Sequence, residues 1–79
     1  MGELPMKKQT SIDPRICFGL RLKALRAEIG MSQETLANDA DLARSYVGEV
    51  ETGKRNISLL NIYKLASALK VDPAELLRR

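Results

Sequence analysis

Residues 32–53 read SQETLANDADLARSYVGEVETG, and the spacing within this stretch decides the fold. Ser32 can accept from the free amides that open a helix, and Glu34 follows where a negative charge meets the positive end of the helix dipole. A short helix is expected from about Gln33 to Asp39, with Leu36 and Ala37 turned inward. Ala40, Asp41 and Leu42 must then turn the chain before a second short helix, Arg44 to about Glu51, which buries Val47 and Val50 and stops at Thr52 and Gly53. Two short helices meeting across so tight a turn, with Ala37 and Ala40 small enough for close backbone approach, form a helix-turn-helix pattern.

Working outward, Asp13 before Pro14 signals a helix start, because aspartate caps free amides and proline lacks only a donor that had no partner there. That helix is expected to run to about Ile29, with Gly30 as its left-handed stop and Phe18, Leu22, Leu25 and Ile29 as its apolar stripe. Leu20 lies off the stripe, either as a peripheral contact or as part of a partner surface. On the other side, Ser58 caps a longer helix whose stripe is Leu59, Ile62, Leu65, Ala66 and Leu69, while Asn61, Lys64 and Lys70 face water. Asp72, Pro73, Ala74 and Glu75 then combine a cap, a first-turn proline and a glutamate placed for a capping box, opening a short fifth helix that carries Leu76 and Leu77. No stretch alternates long enough for a sheet. The expected fold is all-α, one compact five-helix domain over residues 13–79, preceded by a flexible basic arm at 1–12 whose native start is Met1 or Met6.

Composition narrows the function. A chain of 79 residues supports one small core and not two. Its longest apolar run is far short of the roughly 20 residues a membrane span needs, and the first residues lack the body of a secretory signal, so no membrane association and a cytoplasmic location are expected. The single cysteine, Cys17, allows no internal disulfide, and the absence of histidine removes both a Cys/His zinc site and the commonest acid-base catalyst. No metal, cofactor or small-molecule ligand is evident, and an enzyme is not expected. A net charge of +3 suits a polyanionic partner but does not by itself identify one.

From Phe18 to Leu69 the pieces FGLRLKALRAEIGMSQETLA, LARSYVGEVETGKR and LLNIYKLASAL occur in order, and the chain resembles the Cro and lambda-repressor type of helix-turn-helix, the XRE family. Its short form, with RSYVGEVETGKRNIS after the second helix, looks most like the controller proteins of restriction-modification systems. The resemblance implies a lambda-repressor-like DNA-binding domain, double-stranded DNA as partner, and a homodimer on a palindromic operator. It also implies that Arg26 of the first helix pairs with Glu51 as a structural clamp, that Gln33 braces the recognition helix, and that Tyr46 lies at the DNA surface. One position departs from the pattern: Asp41 stands in the turn where many relatives have glycine, which is tolerable because aspartate adopts left-handed geometry more readily than most residues.

A helix in the major groove presents polar side chains from its first turn and outer face. Arg44, Ser45 and Glu49 occupy such positions, and Tyr46 offers a ring or a hydroxyl, so these four are the candidate base contacts. Arg44 can fork onto both acceptors of guanine, whereas Glu49 must either accept from a cytosine amine or pair with a neighbouring arginine. Ser32 and Gln33 at a helix start, and Lys54, Arg55 and Asn56 in the loop after the recognition helix, are candidate contacts to the DNA backbone. Val71, Leu76 and Leu77 form an apolar cluster beyond the expected core and are the candidate dimer interface. Two other functions fit the same pattern: an antitoxin-type regulator that also holds a toxin, and a helical protein-interaction module without DNA binding.

Overall fold

A computed structural model describes residues 12–78, and the arm expected over 1–12 lies outside them but for Ile12, which is exposed. Five helices follow in order: α1 (Pro14–Glu28), α2 (Gln33–Ala40), α3 (Arg44–Glu51), α4 (Leu59–Leu69) and α5 (Pro73–Leu76). Four of them open on a side-chain cap. Asp13 accepts from the Arg15 amide, Ser32 from Thr35, Ser58 from Asn61 and Asp72 from Ala74. The exception is α3, where Ala43 occupies the cap position and offers no side-chain acceptor. Sharp stops are made in left-handed geometry by Gly30 (φ 67°), by Asp41 (φ 59°) as its place in the turn suggested, and by Lys70 (φ 59°), which the sequence did not announce.

The core is a single cluster: Phe18, Leu22 and Leu25 of α1, Leu36, Ala37 and Ala40 of α2, Val47 and Val50 of α3, Leu65, Ala66 and Leu69 of α4, and Leu76 of α5. α2 lies between α3 and α4, while α1 closes the other side against α3 and α5. The approach of α1 to α3 depends on Gly19. A Cβ there would stand 2.5 Å from the carbonyl oxygens of Val50 and Glu51, so only glycine lets the two backbones meet. Two positions further along α1, Arg21 donates through Nε to the Glu75 carbonyl (2.7 Å) and through Nη2 to the Glu75 carboxylate (2.9 Å), tying α5 to α1.

Several expectations need correction. Ile29 is exposed because α1 has already ended at Glu28, so the stripe loses its phase at the cap. Leu59 is exposed because it opens α4 before that helix reaches the core. Glu75 does not complete a capping box; its carboxylate is taken by Arg21 and Arg78. Leu76, expected at a dimer surface, is fully buried: α5 turns it inward to finish the core and leaves Leu77 59% exposed, while Val71 packs partly against the core. Among the described residues no helix is long and apolar enough to cross a membrane.

Candidate nucleic-acid interface

The turn between α2 and α3 is closed by the Leu42 amide donating to Ala37 (2.9 Å) and the Asp41 amide to Asn38 (3.2 Å). Left-handed Asp41 makes that closure possible, and the buried methyls of Ala37 and Ala40 let α3 lie close across α2. Val47 and Val50 then fix the rotation of α3 about its axis. Arg44 and Ser45 consequently lie exposed on its first turn, with Tyr46, Gly48 and Glu49 half-buried along its side. The side chains of Arg44 and Ser45 make no hydrogen bond among the described residues, and no side chain caps the amides beside them. An uncapped helix start carrying a free guanidinium and a free hydroxyl is a surface suited to anions and to base edges.

The inner end of α3 is held quite differently. Glu51 is buried, and its carboxylate accepts from Arg26 Nε (2.7 Å), Arg26 Nη2 (3.0 Å) and Gln33 Nε2 (2.9 Å). Arg26 also donates from Nη1 to the Met31 carbonyl at 2.8 Å. Burial would push the Glu51 carboxyl upward, but its bonds to Arg26 and Gln33 prevail and hold it below the ordinary value; the Arg26 guanidinium is raised by the same hydrogen bonding. Four segments meet there: α1 through Arg26, the following loop through Met31, α2 through Gln33 and α3 through Glu51. Gln33 therefore spends its side chain inside the protein, although it stands at the start of α2 beside exposed Ser32. The Ser32 hydroxyl is itself engaged with Thr35.

The outer face carries a second set of contacts, not evident in the sequence as a unit. Glu49 Oε1 accepts from Arg55 Nε at 2.7 Å, and the Arg55 guanidinium stands over the Tyr46 ring, 5.3 Å from its centroid. The Tyr46 hydroxyl accepts from Asn61 Nδ2 at 3.0 Å, so α3, the loop and α4 are linked through one aromatic side chain. Asn61 thus does more than face water. The loop starts in a fixed direction because the Lys54 amide donates to the Glu49 carbonyl (2.9 Å), and Lys54, Arg55 and Asn56 are all exposed beyond it. Sequence reading brought Arg44, Ser45, Tyr46 and Glu49 to one face and Lys54, Arg55 and Asn56 beside it. It missed Asn61 and Gly19. Glycine in mid-helix costs about 1 kcal/mol relative to alanine, and that cost was the available signal for a close approach.

The helix-turn-helix family model HTH_3 matches residues 22–76. Control protein C.BamHI of Bacillus amyloliquefaciens is 45% identical over 64 residues, covering 80% of this chain and 79% of that protein. Control protein C.MunI of a Mycoplasma species is 45% identical over 65 residues, covering 81% and 88%. The crystal structure of the restriction-modification controller protein C.AhdI from Aeromonas hydrophila superposes with a TM-score of 0.78 at 58% identity, covering 78% of this chain and 94% of that one. The chain belongs to the XRE-type helix-turn-helix family.

Proposed function

We propose that this protein is a cytoplasmic, non-enzymatic transcriptional regulator that binds a palindromic operator as a homodimer and serves as the controller of a restriction-modification system; the support from likeness is its 58% identity to the restriction-modification controller protein C.AhdI. The observation that carries this function is the first turn of α3: uncapped, exposed, bearing Arg44 and Ser45 unengaged among the described residues, on a helix whose other end is fixed by a buried ion pair. Arg44 is assigned to a guanine, Ser45 to an adjacent base edge and the Tyr46 ring to a thymine methyl, with Ser32, Gln33, Lys54, Arg55 and Asn56 on phosphates. Each good bidentate base contact contributes roughly 1–3 kcal/mol of discrimination. Duplexes selected from a random pool test the assignment. A selected site with two related halves is expected, and Arg44→Ala should relax preference at one position per half; equal weakening on selected and random duplex contradicts the role of Arg44.

For the dimer, α4 supplies the better surface. Leu59, Leu60 and Tyr63 are 68%, 65% and 56% exposed on one side of that helix, whereas Leu77 alone of the carboxyl-terminal cluster remains freely accessible. Because Asn61 joins α4 to Tyr46, pairing two copies through α4 ties the twofold axis to the recognition helices, which must stand about 34 Å apart to reach successive major grooves. Sedimentation of Tyr63→Glu is expected to give a folded monomer and Leu77→Glu an intact dimer. The reverse result moves the interface to the carboxyl end with Val71.

A further inference from the structure

An acidic side chain on the face that meets DNA opposes binding unless it has a compensating task. Glu49 is 46% exposed, and its one ion pair among the described residues is with Arg55, itself 53% exposed. Exposed pairs of this kind add little to folding stability, so the pair is better explained by what it does to geometry. The carboxylate takes the Nε edge of the guanidinium and the Tyr46 ring supports its plane. Both Nη groups make no hydrogen bond among the described residues, and Tyr46 is in turn held by Asn61. Arginine is a flexible side chain with a rigid planar fork; once one edge and one face are fixed, the other edge becomes a preset donor pair matched to a phosphate.

Given the DNA-binding function proposed above, we propose that Glu49 is a positioning residue for Arg55 and not a reader of bases: it orders the Arg55 fork, over the Tyr46 ring, for one backbone phosphate. Glu49 remains paired through Nε while the Nη edge binds the phosphate. Two effects of the carboxylate oppose each other. Its charge weakens attraction to the phosphates, while its grip saves the ordering of Arg55 at the moment of binding. Plain electrostatics therefore expects removal of Glu49 to tighten binding, and positioning expects removal to loosen it.

The test is a double-mutant cycle in duplex affinity, read on a selected site and on random DNA, with thermal melts verifying that each variant is folded. Glu49→Ala is expected to weaken both duplexes by about three- to tenfold and Arg55→Ala by about tenfold, with the double variant no weaker than Arg55→Ala alone, as coupled residues require. Glu49→Gln retains an oxygen for Arg55 Nε and should bind within about twofold of the parent protein or tighter, since one acceptor survives and one negative charge is lost. Tighter binding by Glu49→Ala, or additive losses in the double variant, overturns the proposal, and so does an Arg55→Ala variant that binds normally. Altered preference at a single base position with Glu49→Ala overturns it in favour of base readout. Failure of the DNA-binding function itself is distinguishable, because the parent protein then shows no site preference and Arg44→Ala changes nothing.

Discussion

Two glutamates lie two residues apart on α3, each 2.7 Å from the Nε of an arginine, and the two ion pairs sit in opposite environments. At the inner end, the Glu51 side chain is 3% exposed and that of Arg26 15%; at the outer face, Glu49 and Arg55 are 46% and 53% exposed. Equal bond lengths thus conceal unequal energetics. Water screens the outer pair and competes for both partners, whereas the inner pair has given up its hydration and relies on protein partners to replace it. The inner pair fixes where α3 sits, and the outer pair concerns what α3 presents.

The largest effect should come from orphaning the inner carboxylate. Arg26→Met keeps much of the side-chain bulk but leaves buried Glu51 with Gln33 as its remaining side-chain donor among the described residues. Removing one partner of a buried pair costs about 3 kcal/mol or somewhat more. Urea denaturation at neutral pH measures that loss, and a change under about 1 kcal/mol would mean that the inner pair behaves like an exposed one.

Acid separates the contributions further. The folded-state Glu51 carboxyl lies below its ordinary value of 4.5, so the stability it contributes is present above that pH and is lost as the pH falls through the lowered folded value. In Arg26→Met, burial is no longer offset by an arginine and the sign reverses. The carboxyl rises above its unfolded value, and the penalty is relieved as it protonates. The stability gap between parent and variant should therefore narrow as the pH falls from 7 toward 4.5. A gap that holds constant, measured by denaturation at several pH values, would assign the loss to packing. Asp13, held down to about 2 by its hydrogen bonds to Arg15, remains ionised throughout that range and does not confuse the comparison.

Gly19→Ala comes next. The added methyl meets the carbonyls of Val50 and Glu51 at 2.5 Å, at the same inner end of α3. Backbone cannot give way as a side-chain tip can, so overpacking of roughly 1–3 kcal/mol should outweigh the ~1 kcal/mol that alanine gains in a helix. The expected net outcome is a lower midpoint in thermal unfolding, accompanied by weaker DNA binding if α3 shifts. Gly48→Ala is the control, because its Cβ would rest 3.7 Å from the Gln33 side chain, an ordinary contact.

What the sequence could reveal follows the same division. Val47 and Val50 set the phase of α3, so Arg44, Ser45 and Glu49 on its exposed and half-exposed sides could be placed by counting, and the Arg26 and Glu51 pairing followed from family resemblance. Counting failed where helices are short or ending. In a four-residue helix no second turn fixes the phase, and the adjacent Leu76 and Leu77 went to opposite environments. Ile29 and Leu59 sit at helix ends, where a stripe extended by one position leaves the packed surface. For Glu49 the pairing with a neighbouring arginine was one of two open readings, but its extension to Tyr46 and Asn61 escaped because the set spans a helix, a loop and the next helix, and no period connects residues across a loop. Arg21 with Glu75 escaped for the related reason that 54 positions separate them.

The smallest effect sharpens the comparison most. Stability should scarcely register the loss of the outer pair: Glu49→Ala and Arg55→Ala are each expected to change unfolding free energy by less than about 1 kcal/mol, and their coupling energy should be a few tenths. Both side chains are about half exposed, so water replaces the lost partner in the folded protein as readily as in the unfolded one. Salt provides a second measure. Raising ionic strength from low salt toward 1 M contracts the screening length from tens of ångströms to about 3 Å, which should erase any coupling at Glu49 and leave the Arg26 and Glu51 coupling nearly unchanged. Denaturation cycles on both pairs at two salt concentrations make the measurement. If the outer coupling survives high salt and approaches the inner one, Tyr46 shields the Arg55 guanidinium from water more fully than its exposure indicates, and the outer face of α3 is then built for folding as well as for binding.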